Sequence, residues 1–158
     1  VGLDAVAISP DRIALARPGM ALTLNGIAQG WITDRIVDRL RAAGVTSSLV
    51  DMGEIRALGD DAGTPWRVGI DGSDEILALA DRAVATSSPA GFRFDPAGRF
   101  GHIIDPRTGT AVAAAVQVTV TAPEAATADA LSTALVLQDE AGARATLARF
   151  PLASARHT

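Results

Sequence analysis

A chain of 158 residues, 48% apolar and 20% charged, holds enough apolar material for one packed core and reads as globular rather than disordered. Fourteen Lys and Arg against eighteen Asp and Glu give a formal charge of -4, which argues against nucleic acid as the main partner. The absence of cysteine excludes disulfides and thiolate metal sites, and no stretch approaches the roughly 18 apolar residues of a membrane-spanning helix.

The acidic balance also conditions any phosphate ligand, which would need a metal ion or backbone N–H groups to hold it. The opening VGLDAVAISPD lacks a basic segment followed by an apolar one, so it does not resemble a signal peptide. It starts as if in mid-strand. The expectation is one domain over residues 1–158, belonging to a longer protein.

From Asp4 to Ala16 the pattern alternates around Ser9-Pro10-Asp11 and predicts two short strands joined by a turn. Asn25 to Gly44 is the clearest helix: Ile32, Ile36, Val37 and Leu40 recur at helical spacing, Asn25 can cap it and Gly44 can end it. Ser47 to Gly59 reads as a strand entering a glycine-containing turn, and Trp66 to Ile70 as a strand before the turn DGSDE. Arg82 to Ser88 is a strand leading into a Ser/Gly/Pro-rich loop that ends near Gly101. His102 to Thr110 is a short apolar pair before a Pro/Gly turn, and Ala115 to Pro123 is the cleanest alternating strand. Thr121-Ala122-Pro123-Glu124 matches a capping box opening a helix to about Leu137. A last helix, Asp139 to about Arg149, precedes a short tail. There is no internal repeat, low-complexity tract or interdomain linker. The irregular mixture of strands and helices indicates an α+β fold rather than repeated βαβ units.

Three segments can carry chemistry. In TADALSTAL, Asp129, Ser132 and Thr133 fall within about 100° of one another on a helix that is apolar nearly all round. A buried carboxylate is costly unless paired or bound to metal. One carboxylate with hydroxyl oxygens suits Mg²⁺ or Ca²⁺; the alternative is an aspartate satisfied by nearby backbone, with the hydroxyls bonding back to carbonyls one turn earlier. In LNGIAQG, Asn25-Gly26 enters a helix whose first-turn N–H groups can bind an anion, or it is an ordinary cap with packing glycines. It matches neither GxGxxG nor a Walker loop. In HIIDPRTG, His102 stands beside two isoleucines, where a structural role competes with a catalytic one.

Taken together, LNGIAQGWITDRIVDRL, LVDMGEIRALG, PWRVGI, AVATS, HIIDPRTG and VTVTAPEAATADALSTAL resemble, in order, the FAD:protein FMN transferases, the ApbE-type family also labelled thiamine biosynthesis lipoproteins. The resemblance spans roughly Gly19 to Leu137. It implies an α+β, T-fold-like domain with helices packed on a largely antiparallel sheet. It also implies Mg²⁺-dependent cleavage of the FAD pyrophosphate, transfer of FMN to a Thr or Ser hydroxyl of a target flavoprotein, and release of AMP. The family's metal site carries over to Asp129 and Thr133, with Ser132 and a backbone carbonyl near Gly26. His102, Ile103 and Ile104 would lie against the flavin side of FAD, and Thr23, Asn25 and Gln29 near other parts of the dinucleotide. His102 or Asp129 would take the proton of the incoming hydroxyl.

The pattern departs from the family at three of these positions, where Asp, Gly, and Lys or Glu usually stand in place of Thr23, Asn25 and Gln29. Family members also run to about twice this length and are commonly exported, lipid-anchored, periplasmic proteins. The alternatives are a module that binds FAD or Mg-nucleotide without turnover, and a purely structural domain.

Overall fold

The computed structural model describes residues 2–97, 100–112 and 116–157. The chain opens with a hairpin, β1 (Val6–Ser9) and β2 (Arg12–Leu15), whose turn is tied by the Ser9 hydroxyl donating to Asp11 Oδ1 at 2.7 Å. Helix α1 (Ala28–Ala42) follows, then β3 (Ser48–Asp51), β4 (Ile55–Leu58), β5 (Trp66–Gly69), β6 (Ile76–Leu79) and β7 (Ala83–Ser87). A small hairpin of β8 (Ile104–Asp105) and β9 (Thr110–Ala111) precedes β10 (Val118–Ala122), α2 (Ala125–Val136), α3 (Glu140–Leu147) and β11 (Ser154–His157).

The central sheet has five strands in the order β11-β10-β7-β4-β3, and every pairing within it is antiparallel. Successive residues of β7 point to opposite faces, as a pleated strand requires. Ala83 and Ala85 pack with Ala128, Leu131 and Leu135 of α2, whereas Val84 packs with Val68, Leu77 and Leu79 of the β5–β6 hairpin. The alanines let α2 lie close on the sheet. Val37 of α1 joins Val50 and Leu58 in a third cluster beside it. Helix α2 is buried on most of its circumference, as its nearly continuous apolar sequence requires.

Several expectations change. Residues 48–58 form a complete hairpin, Ile76–Leu79 is an additional strand, and the tail supplies edge strand β11, in which His157 pairs with Val118. The strand expected from Ala115 is seen from Val118; Ala115 itself lies outside the described residues. Helix α1 starts at Ala28, and the expected Asn25 cap does not form, because the N–H groups of Ile27 and Ala28 donate instead to the Leu24 carbonyl. Gly44, at φ +85°, ends that helix as expected.

The core face of α1 also differs. Ile32 and Ile36 are exposed, and Gly30, Thr33, Asp34 and Val37 are buried. That face meets the start of α2 so closely that a Cβ on Gly30 would lie 2.4 Å from the Ala125 carbonyl oxygen. Gly30→Ala is therefore expected to cost about 2–4 kcal/mol, since two backbones rather than a flexible side chain must separate. Urea unfolding measures this, and a loss below about 0.5 kcal/mol would contradict such tight packing.

Candidate functional site

The N-termini of α1 and α2 face each other, and each helix supplies a carboxylate to the other's free first-turn N–H groups. Asp34 of α1 accepts from Ala125 N at 2.8 Å and Ala126 N at 2.9 Å. Asp129 of α2 accepts from Gly30 N at 3.0 Å through Oδ2. The predicted capping box is thus replaced. Glu124, not Thr121, is the N-cap residue, it makes no side-chain cap, and the Thr121 hydroxyl pairs with Ser154. Asp34 is further ion-paired with Arg56 of β4 inside the protein.

This exchange fixes the floor of a cleft of about 910 Å³. Thr23, Asn25, Gly26, Gln29, His102, Ile103, Ile104, Asp129 and Thr133 all line it, so residues from three separated segments meet in one place. Gly26 stands directly over Thr133: a Cβ there would lie 3.2 Å from Thr133 Cγ2. Ser132 is the exception among the anticipated residues. It is buried beneath the cleft, and its hydroxyl donates to the Asp129 carbonyl at 3.0 Å, the back-bonding anticipated as the alternative to ligation.

Hydroxyl chemistry then fixes a direction. A carbonyl only accepts, so Ser132 commits its single proton to Asp129 and must accept from Ser87 at 2.8 Å. Ser87 must in turn accept from Thr133 Oγ1 at 3.1 Å. Thr133 consequently turns its proton inward and leaves its lone pairs for the cleft. The same logic applies to His102, where Nδ1 lies 3.3 Å from the Phe92 carbonyl and must donate, so Nε2 is the basic nitrogen of the neutral ring. Ile104 is exposed at the cleft, whereas Ile103 belongs mainly to the core cluster around α2.

Glu54, Asp71 and Asp129 all line the cleft, and Glu54 and Asp129 are buried. Burial raises the pKa of Asp129, which is 4% exposed, and the Gly30 N–H partly opposes that rise. Glu54, from the β3–β4 turn, is 8% exposed and lines the same cleft. Burial, then the charges of Asp129 and Asp51, push Glu54 up to about 8. Its Oε2 has no hydrogen-bond partner among the described residues. Gly53, at φ +99°, holds this turn against the Gln29 side chain, 2.7 Å from where a Cβ would stand.

Because the folded protein keeps the Glu54 proton that the unfolded chain releases above its ordinary value of 4.5, the contribution of Glu54 to stability is complete below about 4.5 and is lost as pH rises through about 8. The full shift corresponds to about 5 kcal/mol, and solvent entering the cleft reduces this to about 2–3 kcal/mol. In EDTA, Glu54→Gln should flatten this decline between pH 5 and about 9 in urea titrations; an unchanged slope would remove Glu54 as its source.

The oxygen-only donor set fits a hard divalent cation: one carboxylate with a single bonded oxygen, the Thr133 lone pairs, and a backbone at Gly26 able to approach closely. Among the described residues no three His, Cys, Asp or Glu side chains gather as a ligand set, so carbonyl, hydroxyl and ligand phosphate oxygens would have to complete the shell. Asp34, Glu54 and Ser87 were not anticipated from sequence. Their signals are slight: an acid four residues after Gly30, an acid directly after a glycine between apolar strands, and a hydroxyl ending AVATS.

Fold and cleft together define an α+β domain with a polar cleft where two helix N-termini meet. Residues 1–155 match the ApbE family, and the chain belongs to it. A FAD:protein FMN transferase of Vibrio cholerae is 34% identical over 150 residues, covering 88% of this chain and 45% of its own length. One of Treponema pallidum is 36% identical over 162 residues, covering 90% and 45%. The solved flavin transferase ApbE from V. cholerae superposes with a TM-score of 0.82 at 30% identity, over 99% of this chain and 52% of its own. The apo flavinyl transferase ApbE of Pseudomonas stutzeri gives 0.80 at 32% identity, over 99% and 50%. The chain spans about half the length of these relatives. Among its described residues, no helix is long and apolar enough to cross a membrane.

Proposed function

We propose that this chain carries the cation- and dinucleotide-binding half of an FAD:protein FMN transferase. Similarity to proteins of that name supports the reaction class. The observation that carries the reading is the meeting of Gly26 with Thr133 and Asp129 in one cleft with His102. In this reaction the hydroxyl oxygen of a target Thr or Ser bonds to the FMN phosphorus, the bond from that phosphorus to the AMP phosphate oxygen breaks, and AMP leaves. A bound divalent cation such as Mg²⁺ supplies charge neutralisation on the diphosphate.

The chain's own residues do the positioning. Asp129 and Thr133, with the carbonyl of Gly26, hold the cation, and Ser132 acts from below by setting the direction of the hydroxyl chain. His102 faces the flavin side with Nε2 as acceptor for the hydroxyl proton, Ile104 gives that side an apolar surface, and Ile103 backs it from the core. Thr23, Asn25 and Gln29 border the rest of the dinucleotide as neutral groups. Their neutrality favours a second reading, a module that binds FAD or Mg-nucleotide without turning it over.

Incubation with FAD, Mg²⁺ and a candidate acceptor flavoprotein, followed by chromatography, separates the two. AMP together with covalently flavinylated acceptor is expected. Saturable FAD binding with neither product would support the binding module, and no binding at all would remove both.

A further inference from the structure

We infer that Glu54 is a carboxylate ligand of a divalent cation that it holds jointly with Asp129. The inference rests on the cation reading above and extends its ligand set to the β3–β4 turn. Glu54 is more than nine-tenths buried, lines the cleft, and leaves Oε2 without a hydrogen-bond partner among the described residues. The side-chain charges that act on it, Asp129 and Asp51, are both negative. The nearby guanidinium of Arg56 is engaged with Asp34.

Two buried like charges are unfavourable, and so is a buried carboxylate oxygen without a partner. A diphosphate in the cleft would bring further negative charge into the same space. A hard divalent ion relieves this, because it attracts both carboxylates and the phosphate oxygens at once. The local backbone supports this placement: Gly53, at φ +99°, lets the turn press against the Gln29 side chain. The carboxylate is thus presented from this turn into the cleft that Asp129 also lines.

The test is Mn²⁺ binding to the chain without nucleotide, followed by electron paramagnetic resonance at fixed pH. Glu54→Gln and Asp129→Ala are compared with wild type, and folding is checked by melting in EDTA. Glu54→Gln is expected to melt in EDTA no lower than wild type and to weaken Mn²⁺ binding by about 10-fold or more. Wild-type affinity in Glu54→Gln, with binding lost in Asp129→Ala, overturns the role of Glu54 and leaves the cation reading intact. Unaltered binding in both variants, or none in the wild type, overturns the cation reading and this inference with it. If Glu54→Gln does not fold, Glu54→Asp carries the test: its carboxylate is one methylene short, so weaker binding supports the inference and wild-type affinity overturns it.

Discussion

Asp129→Ala is expected to reduce Mg²⁺-dependent release of AMP from FAD by at least about 100-fold in a transfer-competent form of the protein. The same substitution should remove the rise in melting temperature produced by Mg²⁺ and FAD together, because a ligand that no longer binds the folded state no longer stabilises it. Without ligand, the melting temperature should change little. The variant loses the bond to Gly30 N, but it also removes a carboxylate whose burial is unfavourable. This asymmetry separates a binding role from a structural one. A variant that releases AMP at the wild-type rate would eliminate Asp129 as the cation's anchor.

The largest effect on stability is expected at Asp34, which sequence reasoning did not single out. Asp34→Ala leaves Arg56 buried without its ion pair and leaves two first-turn N–H groups of α2 without acceptors. Breaking one partner of a buried pair costs about 3–5 kcal/mol, and the orphaned amides place this variant toward the upper end. Urea unfolding should show this as a lower midpoint at constant slope. The double variant Asp34→Ala with Arg56→Met should recover part of the loss, since it no longer buries an unpaired guanidinium. If Asp34→Ala alone costs less than about 1 kcal/mol, Asp34 does not organise the contact between the helices. AMP release should also fall, because Asp34 and Asp129 fasten the same helix junction from opposite sides.

Much of this was legible in one dimension. Hydrophobic periodicity located α1, the Thr121–Glu124 pattern marked the start of α2, a helix was expected where α3 stands, and strands were expected at the first hairpin, β5, β7 and β10. Composition around Asp129 predicted a helix buried nearly all round, and α2 is one. The misses share a cause. Ile76–Leu79 and Ser154–His157 are short, and only their pairing with β5 and β10 makes them strands. Ile32 and Ile36 carry the helical period yet face outward, because closeness to α2 selects Gly30 and Asp34 for the inner face.

By itself, then, the sequence determined the three helices and several of the strands, and which oxygen-bearing residues are chemically able to hold a cation. Those properties depend on side-chain type and on spacing along a single element. Only the tertiary structure decided that Asp34 and Asp129 cap each other's helices, that Thr133 turns its lone pairs to the cleft, and that Glu54 faces Asp129's charge. The physical reason is distance along the chain. Gly30 and Asp129 stand 99 residues apart, and no local pattern records a hydrogen bond formed only when two helices are pressed onto one sheet.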